Sequence, residues 1–157
     1  MTHACNKLDE GKVQFDKNHF PEAISACQEC IEFSIKAVFH FAEVKFPPEH
    51  TFMEENFKRV LQKIRKCTKQ KDLERMYMIS AFWSSMYGIA KYGCEKIGVG
   101  PERLFKKREA WFALLHAYEV YDQASNIYYD CAPEYYGKSS HVKTVLTPNF
   151  SLSDLKL

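Results

Sequence analysis

The chain lacks several features that would tie it to a particular class of protein. No stretch of about 18 consecutive apolar residues occurs, so we expect no membrane span. Residues 1–5 do not show the basic start and apolar run of a secretory signal. The formal net charge is only +2, so overall charge does not require a nucleic-acid partner. These absences favour a soluble, cytoplasmic protein.

Motifs of common enzyme classes are also missing. The sequence has no phosphate-binding glycine loop, no dinucleotide-binding turn, no metalloprotease helix and no serine elbow. Cys27 and Cys30 have the spacing of a redox or zinc pair, but no second pair with metal-ligand spacing accompanies them. Both lie in a helical pattern, where free cysteine behaves as a small apolar residue. We therefore expect reduced thiols, no metal and no cofactor.

What the sequence does contain is helical periodicity. Its 157 residues are 46% hydrophobic and 15% aromatic, enough for one domain with its own core. Apolar residues recur at helical spacing from about Phe20 to Lys45, after a start signal at Pro21 and before Pro47-Pro48. Two apolar stripes on this helix predict a central position. Its polar residues form the one face that we expect to be wet: Glu29, Glu32, Lys36 and Glu43.

Four other segments show helical signals. A weak, polar candidate covers residues 4–17. Thr51 and Glu54 form a capping box, in which each side chain satisfies a free backbone donor of a third helix. A fourth helix begins near Asp72, and a last long helix begins near Pro101. A stripe of mostly small residues on the last helix lets another helix approach closely: Ala110, Ala113, Ala117, Val120, Ala124 and Ile127.

The helical pattern stops at Ala132, and we find no strand alternation of useful length and no internal repeat. The fold class that follows is all-α, an antiparallel up-and-down bundle of four to five helices. We expect this bundle to occupy residues 1–131 and an irregular C-terminal tail to occupy residues 132–157.

Basic residues are concentrated in one part of the chain. Eight of them, and only two acidic residues, lie between Lys58 and Arg75. Such a run is usually a solvated helix face, and its functional alternative is a surface that neutralises phosphates without recognising sequence. Aromatic residues such as Tyr92 are stacking platforms for bases under the second interpretation and core residues under the first.

Three histidines have structural and catalytic interpretations. His40 lies on an apolar stripe and is expected to be a packed core histidine. His50 precedes the capping box and is expected to end a turn. His116 lies in the last helix, between the small-residue stripe and a bulkier one. We favour the structural role for each, because a single sequence does not show a matched catalytic partner.

The segment from Phe20 to Ala37 resembles the signature helix of HEPN domains, the higher eukaryotes and prokaryotes nucleotide-binding family. In that family a pattern of small residues, Gln and Glu leads into a Lys-Ala pair. The corresponding residues here are Gln28, Glu29 or Glu32, and Lys36-Ala37. A loop containing His50, the element Ala90-Lys91-Tyr92-Gly93 and an alanine-rich last helix follow in the family's order. The resemblance covers about residues 4–131.

This resemblance implies a helical bundle that forms a homodimer through helix faces and binds a nucleotide or RNA. The candidate binding residues are Lys36, His50, Lys58, Arg59, Arg65, Lys91 and Tyr92. Many HEPN proteins are metal-independent ribonucleases, often toxins paired with a nucleotidyltransferase antitoxin. That branch carries an arginine, four to six residues and a histidine near the last long helix.

Arg108 and His116 are the nearest match to that motif, but seven residues separate them. On a straight helix their side chains lie about 80° apart and about 12 Å apart along the axis, so they meet a common phosphate only across a dimer. Histidine would move the 2′-hydroxyl proton and arginine would stabilise the phosphorane charge. We expect a binding domain without established catalysis; the alternatives are a ribonuclease that uses this pair and a purely structural interaction module.

Overall fold

The computed structural model describes residues 1–45, 54–64, 70–136 and 147–155, without the side chains of 131–136. Within these ranges the chain forms six α-helices and no named strand, which confirms the predicted all-α bundle. The helices are α1 (Thr2–Asp16), α2 (Phe20–Phe41), α3 (Glu54–Ile64), α4 (Gln70–Tyr92), α5 (Pro101–Leu104) and α6 (Lys107–Tyr136). None of the described helices is both long and apolar enough to cross a membrane.

Helix α2 is the central element, as its two apolar stripes predict. It packs against α1, α4 and α6, and most of its residues are buried. It ends at Phe41, earlier than the predicted Lys45, because Glu43 adopts a left-handed conformation with φ of 52°. The Val44 amide donates to the Phe39 carbonyl and the Glu43 amide to the His40 carbonyl. These two bonds form a Schellman motif that closes the helix before Pro47.

Helices α1 and α2 approach each other closely at Gly11. A Cβ atom at this position would lie 2.9 Å from Cys27 Sγ and 3.4 Å from the Ala23 carbonyl oxygen. Only a residue without a side chain fits that space without a shift of its neighbours. The glycine that makes this segment a weak helix candidate in the sequence is therefore what allows α1 to pack.

The connection from α4 to α6 differs from the prediction. Helix α4 ends at Tyr92 and not near Gly98, because Gly93 has a φ of 76° and a Cβ there would lie 2.4 Å from the Val99 carbonyl oxygen. The predicted single last helix is split after α5, where Phe105 is extended and buried. The Lys106 amide then donates to the Glu109 carboxylate at 2.9 Å, which starts α6. Burial of one aromatic ring explains this break.

Helix α6 carries the predicted stripe of small residues into the core, where all six are buried. It continues to Tyr136, past the predicted end of the helical pattern at Ala132. The division into a domain and a tail stays a prediction.

Residues 147–155, which we call the C-terminal strap, return to the bundle. The amide and side-chain nitrogens of Asn149 donate to the two Asp9 carboxylate oxygens at 2.8 and 2.7 Å. Trp111 Nε1 donates to the Leu155 carbonyl at 3.4 Å, and Leu155 itself is buried. The part of the tail that the structure describes is therefore fixed on α1 and α6.

Candidate functional site

The structure does not bring the two predicted catalytic residues together. Arg108 and His116 lie on the uninterrupted helix α6, about 12 Å apart along its axis. Arg108 is exposed and has no ion pair with any residue whose side chain the structure describes. His116 is half-buried. Within one chain, the pair cannot act on a single phosphate.

His116 instead contacts helix α4 through Trp83. The indole Nε1–H of Trp83 donates to His116 Nδ1 at 2.9 Å, and the two ring centroids are 6.1 Å apart. Because Nδ1 accepts this bond, the proton of the neutral imidazole is placed on Nε2. His116 therefore presents a hydrogen-bond donor, and its one lone pair is occupied.

An arginine from α4 lies next to this histidine. Arg75 forms a two-pronged ion pair with Glu119, with nitrogen–oxygen distances of 2.9 and 3.0 Å. The pKa of His116 is lowered, first by burial and then by the positive charge of Arg75, against the opposing effect of Glu119. Near neutral pH His116 is thus an uncharged imidazole.

Large apolar side chains are exposed on both of the helices that position His116. Met78 and Phe82 of α4 and Phe112 of α6 are each about half exposed, at 52%, 51% and 49%. The Phe112 ring centroid lies 6.4 Å from that of His116, and the Phe82 centroid lies 5.0 Å from that of Trp83. Adjacent exposed aromatic residues of this kind mark surfaces that bind something.

We call this surface the α4–α6 face. It consists of Arg75, Met78, Phe82, Arg108, Phe112 and His116. Residues 108, 112 and 116 follow each other at four-residue steps along α6, and residues 75, 78 and 82 follow helical steps along α4. The face therefore combines two arginines, exposed apolar side chains and an imidazole N–H donor.

The chemistry available at this face is binding. Exposed rings are stacking surfaces for planar groups, and arginines match phosphate geometry. Abstraction of a proton by His116 would require a free lone pair, which the Trp83 hydrogen bond occupies. The described geometry thus provides recognition groups but no poised general base.

The predicted basic surface on α3 is largely neutralised by its own helix. Lys58 pairs with Glu54 at 2.6 Å and Arg59 pairs with Glu55 at 2.5 Å, each one turn apart. These exposed pairs leave little net charge for a phosphate backbone. The structure therefore favours the solvated-face interpretation of this run for the residues that it describes.

Lys36 also has an internal partner, since its ammonium group pairs with Glu32 and lies 5.8 Å from the Phe33 ring centroid. Glu32 is buried, so the prediction that it belongs to a wet face is wrong; α2 is covered by other helices on that side. His40 is exposed, so the expectation of a core histidine is also wrong, because the helix closes directly after it.

Lys91 and Tyr92 lie at the other end of the bundle. The Lys91 ammonium bonds the Tyr87 hydroxyl at 2.9 Å and lies 6.0 Å from the Tyr92 ring centroid, and Tyr92 is 69% exposed. Lys91 also lines a cavity of about 300 Å³ between α1, α2, α4 and α5. Four carboxylates share that cavity with only two lysines, Lys7 and Lys91: Glu10, Glu22, Glu29 and Glu102. An anionic ligand is disfavoured there.

The remaining predicted binding residues, His50 and Arg65, lie outside the described residues. Of the predicted set, therefore, Lys36 and Lys58–Arg59 are occupied by carboxylates, and Lys91–Tyr92 form a separate cluster. Only Arg108 and His116 belong to the α4–α6 face.

The closely spaced cysteines are core residues. Cys27 and Cys30 are fully buried, and burial raises the pKa of both thiols. Cys30 Sγ contacts the Ala117 carbonyl at 3.9 Å, in the contact between α2 and α6. Within the described ranges, no group of three or more histidine, cysteine or acidic residues is arranged to hold a metal ion.

Sequence reasoning missed the α4 half of the site. The basic run ends at Arg75, but nothing in the helical pattern links Arg75 or Trp83 to His116. The three-residue step from His116 to Glu119 was a detectable local signal, because it puts an acid beside the histidine. The pairing of α4 with α6 could not be read from one sequence.

A family model, described as the HEPN domain, matches residues 1–127 of the chain. Neither the curated proteins nor the solved structures gave a match.

Proposed function

The chain belongs to the HEPN domain family, and from this premise we propose that it binds a nucleotide or a nucleic acid through the α4–α6 face. We further propose that it acts as a homodimer and that binding requires no catalytic step. The cytoplasmic location and the nucleotidyltransferase partner stay predictions.

The observation that carries the proposal is a pair of exposed rings: Phe112 lies against His116, and Phe82 lies against Trp83, which bonds His116. Bases stack on such rings, and each stacked base contributes about 1–3 kcal/mol. Half-exposed phenylalanines beside a hydrogen-bond donor make little sense for stability alone, because they leave apolar surface in water.

The charges on the face suit a phosphate. Arg108 is exposed, four residues before Phe112, and has no carboxylate partner within the described part of the chain. Arg75 is held by Glu119, which fixes its orientation next to His116. A planar base stacked on Phe112 would therefore leave its phosphate near the free guanidinium of Arg108.

The same face supports self-association. A two-fold interface uses one surface patch from each copy. Phe112 lies midway between Arg108 and His116 along α6, so a two-fold axis that passes near Phe112 would pair Arg108 of one copy with His116 of the other. Dimerisation in this manner would join the two residues that one chain keeps about 12 Å apart.

The ribonuclease alternative has less support, because the lone pair of His116 is used by Trp83 and not left free for a 2′-hydroxyl. We expect wild type and His116→Ala to leave RNA equally intact in cells and in vitro. Faster RNA loss with wild type than with the variant would establish catalysis. The other alternative is that the chain is a purely structural interaction module. Only the exposed apolar surface supports it, and it predicts dimerisation without RNA binding.

Binding is tested by fluorescence anisotropy with a labelled single-stranded RNA, alongside thermal shifts with nucleotides. We expect Phe112→Ala and Arg108→Ala each to weaken RNA binding at least about fivefold, from the loss of one stacked base or one phosphate contact. Lys58→Ala, which removes an exposed cation already paired with Glu54, is the matched control and should change affinity little.

Self-association is tested by light scattering coupled to size-exclusion chromatography. Phe112→Ser should shift the protein from dimer to monomer, whereas Ile97→Ser, at an exposed apolar residue outside the face, should not. No binding of any RNA or nucleotide, or equal affinity of all variants, would reject the proposed function.

A further inference from the structure

A second cavity, of about 220 Å³, lies between α6 and the C-terminal strap. Four aromatic side chains form much of its wall: Tyr118, Tyr121, Tyr129 and Phe150. The polar members of the wall are Asp122, Ser125, Asn126 and Thr147. None of these residues belongs to the α4–α6 face, which lies on a different side of the same helix.

The wall of this cavity carries one negative charge and no positive charge among the described residues. Asp122 is the ionised member, and Asn126 Nδ2 donates to one of its carboxylate oxygens at 3.1 Å. That bond orients the carboxylate and leaves further acceptor capacity on it. The faces of aromatic rings are also electron-rich, so both kinds of wall group favour a cation and disfavour an anion.

The strap holds its part of the wall in place. Asn149 is fixed to Asp9 by two hydrogen bonds, and the Phe150 ring lies 5.7 Å from that of Tyr118. The ammonium group of Lys12 lies 5.8 Å from the Phe150 centroid, although Lys12 does not line the cavity. One ring of the wall thus already attracts an ammonium group from this chain.

We propose that this cavity binds a small organic cation of the alkylammonium class. Four aromatic rings and one carboxylate line the cavity, and this is the combination of groups that recognises methylated ammonium groups, whose charge is spread over an apolar surface. The volume is below the range of about 300–1,000 Å³ typical of sites for drug-sized ligands, which suits a small head group. A nucleotide phosphate would meet the Asp122 carboxylate, and the described wall residues include no cation to compensate for it.

The test uses the full chain and isothermal titration with choline, together with amide chemical shifts. Its neutral carbon isostere, 3,3-dimethylbutan-1-ol, has nearly the same shape and no charge. Choline should bind and shift the resonances of Ser125 and Thr147, and the isostere should bind about tenfold more weakly. A peptide with a trimethylated lysine, compared with its unmodified form, distinguishes a protein-borne ammonium group from a free one.

Two substitutions test whether residues of the cavity wall contribute to choline binding. Asp122→Asn and Tyr118→Leu should each weaken choline binding at least about fivefold without changing RNA affinity. Asp130→Asn removes the same charge from an exposed position of α6 outside the wall, and it should leave choline binding unchanged. Absence of choline binding, equal binding of the isostere, or tighter binding of adenosine monophosphate than of choline would overturn the proposal. Loss of RNA binding alone would reject the proposed function and not this cavity.

Discussion

Helix α6 presents two contrasting surfaces. Toward α1 and α2 it buries small or medium side chains, such as Ala113, Leu114 and Ala117. Toward solvent beside α4 it exposes the large Phe112 ring and the Arg108 guanidinium. Side-chain bulk is thus kept out of the tightest helix contacts and displayed on the surface. We infer that the two sides are built for different purposes, packing on one and binding on the other.

The two α2 cysteines in the core that the packed side of α6 contacts are unreactive. Cys27 and Cys30 resemble a reactive pair in sequence, but their burial raises the pKa of both thiols and disfavours the thiolate that redox and metal chemistry need. The exposed side has one neutral imidazole, two arginines and stacking surfaces. The spacing of Cys27 and Cys30 therefore reflects packing, and we infer that the exposed Phe112 ring serves binding.

The largest expected effect is a difference in the free energy of unfolding between substitutions at two nearby residues of α6. Leu114→Ala removes a fully buried side chain and should lower the free energy of unfolding by about 2–5 kcal/mol. Phe112→Ala removes a half-exposed ring and should cost less than about 1 kcal/mol, because little buried apolar area is lost. Urea denaturation of both variants measures the difference. A cost for Phe112→Ala equal to that for Leu114→Ala would mean that the ring is a core residue.

Smaller changes in stability are expected when two helical glycines are replaced by alanine, and the two changes should have opposite signs. Gly11→Ala places a Cβ 2.9 Å from Cys27 Sγ, and we expect a loss of about 1–2 kcal/mol in spite of alanine's higher helix propensity. Gly88→Ala has no atom within 4 Å of its new Cβ and should gain up to about 1 kcal/mol. Thermal unfolding of the pair reports the signs. Stabilisation by both substitutions would contradict a tight contact of α1 with α2.

The smallest expected effect concerns protonation on the exposed side. Burial and the charge of Arg75 lower the pKa of His116 below its ordinary value of 6.5, and the Trp83 N–H bond also favours the neutral ring. Trp83→Phe removes that donor and should raise the pKa of His116, as measured by NMR titration of its ring protons. An unchanged or lower pKa in the variant would show that the hydrogen bond does not favour the neutral form.

The sign of the pH dependence of stability follows from the same shift. Below pH 6.5 the unfolded chain binds a proton at His116 that the native state still excludes. The contribution of His116 to stability is therefore fully present above pH 6.5 and is lost as the pH falls through the native pKa. His116→Gln should flatten the acid side of the stability curve.

The sequence was sufficient to predict where most of the helices lie and that α2 is the central helix of the bundle. Three-and-four spacing located α2, and the small stripe from Ala110 to Ile127 identified the packed side of α6, because helical periodicity is a local property. The helix ends were less predictable. Glu43 closes α2 through a left-handed residue that is not glycine, and burial of Phe105 interrupts the predicted last helix.

Only the α6 half of the candidate site could be predicted from the sequence. His116 and Arg108 were visible as residues on one helix, whereas Trp83 and Arg75 reach His116 through the packing of α4 on α6. Contacts between elements distant in sequence are not encoded in local spacing. For the same reason the sequence predicts that Glu32 is exposed to solvent, whereas the helices around it bury it.

The central claim, that the α4–α6 face is the binding surface, is tested most directly by the two tryptophan indole signals in a ¹H–¹⁵N spectrum. Trp83 is bonded to His116 beneath the face, and Trp111 is bonded to the C-terminal strap. On titration with single-stranded RNA, the account predicts that the Trp83 signal moves saturably and by more than the Trp111 signal, because the Trp111 N–H faces the strap although its ring lies 5.1 Å from that of Phe112. Movement of Trp111 alone, or of neither signal while RNA binds, would contradict it.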